Sequence, residues 1–385
     1  MRAVSGRHRT SGVASPSFTS LTNWPRPTTL AGAMRQVPFT DKTSLTNAIT
    51  NMVAGDYIYY NGTGVLTISS STTYPFSISS KTPSSAVTID FGTVSTTQID
   101  AWSPGSSSGN YVQFDYSGTS SNESIKIAAC SNLNIYGGLI TASNAGGGGI
   151  GLWGASSNIL WYDAYVNFIG GSGVNVLNNT TGGAAGPISN VTFRAEVTRW
   201  AMNPSLDPHI DKGCGLQACI VHGGNVNSSY DNCTFAIYGH NPLQPGEVSA
   251  GQTWPEGGGG SVIEPGNDNG TQTNFTLYVK GDSCNMTPNG TNPGSAVNGE
   301  TGGNGINIWG STSLAGMVIP WVEMTNCSGS PVHCTATSGW QTGTPPVTVN
   351  HGRHTNTNTY YNPATSSNRN VPYDTTGNVV YNDCT

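Results

Sequence analysis

The chain has 385 residues, of which only 9% are charged, with 51 Gly, 16 Tyr, 9 Trp and a formal net charge of −6. An average globular protein carries about 25% charged residues, whereas a disordered one pairs low hydrophobicity with high net charge; this composition matches neither and leaves aromatic residues to bury. No run of about 18 apolar residues offers a membrane span, and outside the N-terminal arm the acidic balance argues against a nucleic-acid partner.

Residues 1–40 hold Arg2, Arg7, Arg9, Arg26 and Arg35 and no acid, so they carry +5 while the rest of the chain carries −11. Pro25, Pro27 and Pro38 bar a continuous helix, and the segment reads as an extended basic arm that docks on another molecule. No apolar segment follows the basic Met1–Arg9, so no secretory signal is legible; the expectation is release by lysis, or a leader missing from this chain. Next, Asp41–Met52 sets Leu45, Ala48, Ile49 and Met52 on one helical face behind capping residues. A Gly-Asp-apolar strand follows at Ala54–Tyr60, and the short helix would cover an otherwise open strand edge.

Five asparagines then open the same short pattern: Asn132-Leu-Asn-Ile135, Asn158-Ile-Leu-Trp161, Asn190-Val-Thr-Phe193, Asn232-Cys-Thr-Phe235 and Asn274-Phe-Thr-Leu277. Their intervals of 26, 32, 42 and 42 residues are the drifting period of a solenoid with unequal loops. A second series runs in phase: Gly149-Ile-Gly-Leu152, Gly173-Val-Asn-Val176, Gly215-Leu-Gln-Ala218, Ser261-Val-Ile-Glu264 and Gly305-Ile-Asn-Ile308. Each member alternates like a half-buried strand, so each turn contributes at least two strands. Over roughly residues 41–330 the chain resembles the right-handed parallel β-helix proteins of the pectate-lyase-like kind, including phage tail spikes, minor tail proteins and polysaccharide-degrading enzymes. The resemblance implies an all-β solenoid with stacked asparagines at one corner, here residues 41–334, closed by an irregular segment at 335–385.

Between the two series the chain is short in early turns and long later, from Phe193 to Leu216, Phe235 to Val262 and Leu277 to Ile306. These excursions leave one corner of successive coils about 4.8 Å apart, and long loops gathered on a regular scaffold are where binding and chemistry concentrate. Four positions on from each ladder asparagine come Tyr136, Tyr162, Arg194, Ala236 and Tyr278, one external column if the register holds. Aromatic faces there suit stacking on sugar rings; a subunit interface, as in a homotrimer, suits them as well.

The densest chemical segment is Leu206–Gln217. Glycoside hydrolysis needs two carboxyl groups across the scissile bond, so Asp207 and Asp211 are the first candidates, with His209 between them and Glu247 or Glu256 as partners from the next loop. Trp200, Trp254 and Tyr162 are expected as sugar platforms, with Tyr136, Arg194, Gln217 and His240 as further substrate contacts. The segment resembles the His-x-Asp-Gly-x-x-Gln run of β-helix coils through His209, Asp211 and Gln217, with Lys212 in place of the glycine. Asp207-Pro-His209 also resembles an element of alginate epimerases, but Pro204 stands where those enzymes carry tyrosine, which argues against their chemistry. Elimination would need several cations, and only Arg194, Arg199, Lys212 and Lys280 lie near the loops; hydrolysis is favoured over lyase chemistry.

Asp207, His209, Asp211, Cys214, Cys219 and His222 fall within 16 residues, but no spacing matches a zinc module, so neither metal nor other cofactor is expected. Eight cysteines leave open both bridges, with Cys214/Cys219 and Cys327/Cys334 closest in sequence, and free core thiols such as Cys233. Two functional classes fit. One is a virion tail or spike protein that binds a host-surface polysaccharide, with or without hydrolysing it, and meets other tail subunits through residues 1–40. The other is a secreted microbial polysaccharide hydrolase or lyase.

Overall fold

The computed structural model describes residues 17–24, 35–94, 109–118, 122–142, 148–169, 172–178, 186–198, 200, 218–223, 229–240, 261–266, 271–282, 304–308, 317–325, 332–334, 347–355, 373–374 and 379–382. Strands dominate them, in one sheet of 17 strands and one of 9. Every strand ladder is parallel. The chain visits the two sheets in turn: small at Ile150–Trp153, large at Ser157–Ile169, small at Val174–Asn178, large at Ile188–Thr198, small at Cys219–Gly223, large at Thr234–His240. Each visit pairs with the strand laid down one turn earlier. The architecture is all-β and solenoid-like.

Inward positions form continuous rows. Ile135, Trp161, Phe193, Phe235 and Leu277 stand in register on successive strands of the large sheet and are at most 1% exposed. Burying one such side chain contributes about 1.5–3 kcal/mol, and repetition makes one core of what a single turn could not enclose. Rings meet along this row, Trp161 edge-on to Phe193 at 5.6 Å and Phe193 tilted against Phe235 at 6.4 Å between centroids.

The two corners differ. Where the chain passes from the small sheet to the large, Ala129, Ala155, Asn132, Asn158, Asn190, Asn232 and Asn274 hold left-handed φ of 52–58°. Asparagine tolerates that conformation better than other residues with a side chain, and its amide both donates and accepts. Asn158 Nδ2 donates to Asn132 Oδ1 at 3.0 Å, Asn190 to Asn158 at 3.0 Å and Asn232 to Asn190 at 2.8 Å. The foot is closed by Asn132 donating to the Pro83 carbonyl, while Asn274 turns to Asp231 Oδ1 at 3.1 Å instead of Asn232. The asparagine ladder expected from sequence is therefore present.

The N-terminal side also matches in kind. Asp41 caps a helix at Lys42–Thr50, accepting from the Ser44 N–H at 2.8 Å while Ser44 Oγ accepts from the Asp41 N–H at 3.1 Å. Leu45, Ala48 and Ile49 are buried and Met52 packs against the core. Ahead of the helix, Arg35–Phe39 joins the large sheet beside Asp56–Tyr60, with Arg35 making two hydrogen bonds to the Asp56 carboxylate. Pro38 is accommodated because it lies on that outermost strand.

Some sequence expectations shift. The small-sheet strand expected at Gly215–Ala218 lies at Cys219–Gly223, and Ile263 rather than Val262 is in register with Cys219. Parallel stacking also runs beyond residue 334, through Val347–Val349, Gly352–Thr355 and Val379–Tyr381, where Asn382 Nδ2 donates to Asn350 Oδ1 at 2.8 Å. Cys219 is not bridged to Cys214: like Cys130 and Cys233 it is a buried free thiol. Burial raises the Cys219 pKa and pushes that of Cys233 up to about 12, so both behave as small apolar side chains. Cys214, Cys284, Cys327 and Cys384 lie outside the described residues.

Candidate functional site

On the outer face of the large sheet the expected column is in register. Tyr136 pairs with Tyr162, Arg194 with Ala236, Ala236 with Tyr278, and Trp321 extends the row. Between Trp161 and Ala164 the strand carries an extra residue against its partner. Asp163 absorbs this bulge with a left-handed φ of 57°, which swings its carboxylate onto the Arg194 guanidinium in an ion pair. Burial lowers the Arg194 pKa, opposed by the negative charge of Glu196 and by Tyr162; from a starting value above 12 it stays cationic at physiological pH.

This column is covered by the chain's own N-terminal segment. Residues Phe18–Leu21 form a one-turn helix capped by Ser17, and Phe18, 9% exposed, packs with Ala236 and Trp321 in a cluster against which Leu21, Trp24, Tyr238 and Tyr278 also pack. The Trp24 ring lies 5.3 Å from Tyr162 and 6.4 Å from Tyr278, and Arg194 donates to the Thr22 carbonyl. Part of the arm thus seats on its own body, and Tyr136, 4% exposed, offers little face to a sugar.

Two residues further along these strands lies a more open column. Tyr165, Glu196, Tyr238, Lys280, Glu323 and Arg353 stand on successive strands, all half-buried. Lys280 Nζ sits 4.8 Å from the Tyr238 ring centroid. A cleft of about 390 Å³ runs between this column and the N-terminal segment, lined by Thr19, Thr22, Asp163, Arg194, Glu196 and Lys280 among others.

From the large sheet to the small, three successive coils send out the long segments: Thr198 to Cys219, His240 to Ser261 and Asp282 to Asn304. Asp207, His209, Asp211, Gln217, Glu247, Trp254 and Glu256 fall in them and lie outside the described residues. His240 ends its strand at this corner, in register with Thr198 and Asp282. Trp200 is 1% exposed and belongs to the core, its ring close against Gly239, so it supports the corner from within. Thr198 Oγ1 and Ser261 Oγ are buried there without a hydrogen-bond partner among the described residues.

The same corner, in an earlier coil, holds a group that sequence reasoning missed. Glu123 stands between strands Tyr111–Tyr116 of the large sheet and Ile125–Ala128 of the small, and is 3% exposed. Its carboxyl lies over Gly151, where a Cβ would stand 2.9 Å from Glu123 Cδ and 2.6 Å from Trp153 Nε1. Burial pushes the carboxyl up from 4.5 to about 7, against its own backbone N–H, the Lys126 charge and nearby Asn175 and Trp153. Glu123 Oε2 and Trp153 Nε1 nonetheless lack partners in bonding geometry. Lys126 Nζ covers the pair, 4.1 Å from the Trp153 ring centroid and 4.8 Å from that of Tyr74. Burial beside an indole and an ammonium group is the kind of environment that shifts a carboxyl toward neutrality. No motif surrounds Glu123; its only sequence signal is an acid at the large-to-small corner of a chain with 20 acids.

No family model matches the chain, and no curated protein does. Among solved structures, an alginate lyase from Paenibacillus sp. str. FPU-7 is similar over 90% of this chain and 99% of its own, at 14% identity and TM-score 0.39. Geobacillus virus E2 ORF18 is similar over 91% of this chain and 60% of its own, at 11% identity and TM-score 0.39. At those values neither assigns an activity to this chain.

Proposed function

We propose that the chain is a virion tail or spike-like right-handed parallel β-helix that binds a host-surface polysaccharide and hydrolyses it at the large-to-small corner. The observation that carries this reading is the corner itself: long segments leave it in three successive coils, and its described residues bury polar side chains with unmet hydrogen-bonding capacity, Glu123 among them. Right-handedness follows the general rule for parallel crossovers. Asp207 and Asp211, with Glu247 or Glu256, supply the carboxyl pair that glycoside hydrolysis requires, His209 and Gln217 lie beside them, and Trp254 offers an aromatic face. The part of residues 1–40 outside the described residues, with Arg2, Arg7 and Arg9, meets other tail subunits, and the assembly is a homotrimer. A secreted hydrolase or lyase is the second reading, favoured only by the same corner.

The test is incubation with host cell-wall polysaccharide, reading product size and ultraviolet absorbance from unsaturated ends. Shortened, non-absorbing products that disappear in Asp207→Asn or Asp211→Asn support hydrolysis. Absorbing products indicate a lyase, binding without cleavage indicates an adhesin, and failure to bind any polysaccharide overturns the glycan reading altogether.

A further inference from the structure

The outer column of the large sheet has a spacing and a chemistry of its own. Tyr165, Glu196, Tyr238, Lys280, Glu323 and Arg353 rise one per strand, at the ~4.8 Å interval that parallel pairing imposes. That interval is close to the length of one sugar unit in an extended glycan. A chain lying along the solenoid axis would therefore meet one side chain per unit, in constant phase. The N-terminal segment walls this column on one side with the hydroxyls of Thr19 and Thr22, and the cleft of about 390 Å³ lies between them.

Charge decides the class of glycan. The two acids and two bases of the column cancel, and the remaining lining charges, Asp163 and Arg194, are paired with each other. No net field attracts a polyanion. Two phenol rings, Tyr165 and Tyr238, with carboxylates and cations between and beyond them, suit hydroxyl-rich, uncharged units: rings stack on the apolar faces, and the charged groups accept from or donate to the hydroxyls.

We infer that this column is a binding track for a neutral linear glycan, one unit per coil, lying beside the N-terminal segment and separate from the corner where cleavage is assigned. The inference rests on the glycan reading above and adds where the uncleaved part of the chain lies. The side chains sit on strands rather than loops, so the track is rigid before the ligand arrives, which limits the ordering cost of binding.

The experiment uses the full chain and the host polysaccharide cut to graded lengths, with oligogalacturonate of matching lengths as the anionic comparison. Affinity for neutral fragments should rise with length until the track is filled and then level off. Tyr238→Ala should weaken the longer fragments about tenfold, the order expected for one lost ring platform, while Tyr238→Phe keeps the face and most of the affinity. Glu196→Gln should weaken binding less. An unchanged rate of proteolysis ahead of Arg35 in each variant shows that the neighbouring segment is still seated. Fragments that bind equally to wild type and Tyr238→Ala overturn the track while leaving glycan binding at the corner intact. Tighter binding of oligogalacturonate overturns the neutral class, and absence of all binding overturns the track together with the reading on which it rests.

Discussion

Replacing Glu123 with Gln keeps the shape of a buried side chain and removes its titration. In the folded chain burial moves this carboxyl from 4.5 to about 7. Between those values the folded protein holds a proton that the unfolded chain has released, so stability falls as pH rises through the window and levels off above it. A tenfold change in proton affinity is about 1.4 kcal/mol, and the displacement from 4.5 to about 7 therefore amounts to about 3 kcal/mol for a side chain that is 3% exposed. Glu123→Gln should match wild type at about pH 5 and exceed it by up to about 3 kcal/mol at about pH 8. Guanidinium denaturation at both values, followed by circular dichroism, gives the comparison. Parallel pH profiles for the two proteins would falsify the assignment of a protonated, buried carboxyl at this corner.

Three further outcomes follow from the geometry. Asn190→Ala keeps a β-carbon in the left-handed region, φ 53°, but loses the amide that offsets its strain, at up to roughly 1 kcal/mol, and removes two ladder hydrogen bonds of about 0.5 kcal/mol each in an exposed setting; thermal unfolding should rank wild type above Asn190→Gly and Asn190→Gly above Asn190→Ala. Gly173→Ala would put a Cβ 2.5 Å from Val197 Cγ1 and 2.7 Å from the Ala218 carbonyl oxygen, whereas at Gly281 the nearest atom is the pliable Met324 thioether. The first should lose about 1–3 kcal/mol by urea titration and the second less, and a reversed order would show that the strand pairing at Ala218 gives way more easily than the thioether. Phe18→Ser should loosen the N-terminal segment, seen as chymotryptic cleavage about tenfold faster before residue 35 with a red shift of tryptophan emission, while the urea midpoint of the body changes little.

The asparagine ladder was legible because few residues accept a left-handed turn and fewer still can both give and take a hydrogen bond along a stack. The helix at 42–50 was legible for a similar reason, its Asp41 cap and apolar face being local. Where neighbouring residues are both apolar, as at Val262 and Ile263, alternation gives no phase, and the register came out one residue away. The bulge at Asp163 has no local signal, because it reflects the lengths of two strands compared with each other. Likewise the covering of Tyr162 and Tyr278 depends on Arg194 meeting Thr22, 172 residues away in sequence, and the burial of Glu123 arises only when coils stack.

The seating of the N-terminal segment alters how such a stack comes apart. A solenoid with contacts only between adjacent turns frays from its ends, each turn released at the cost of a single interface. Here Trp24 touches strands at Tyr162 and Tyr278, yet the chain re-enters the sheet at Arg35, on the outermost strand. The N-terminal part of the chain is thus anchored twice, on middle strands through Trp24 and on the outermost strand through Arg35, so loss of one anchor is felt at the other. Unfolding from that end becomes a joint event, and folding must wait for a contact of long sequence separation before the stack is locked.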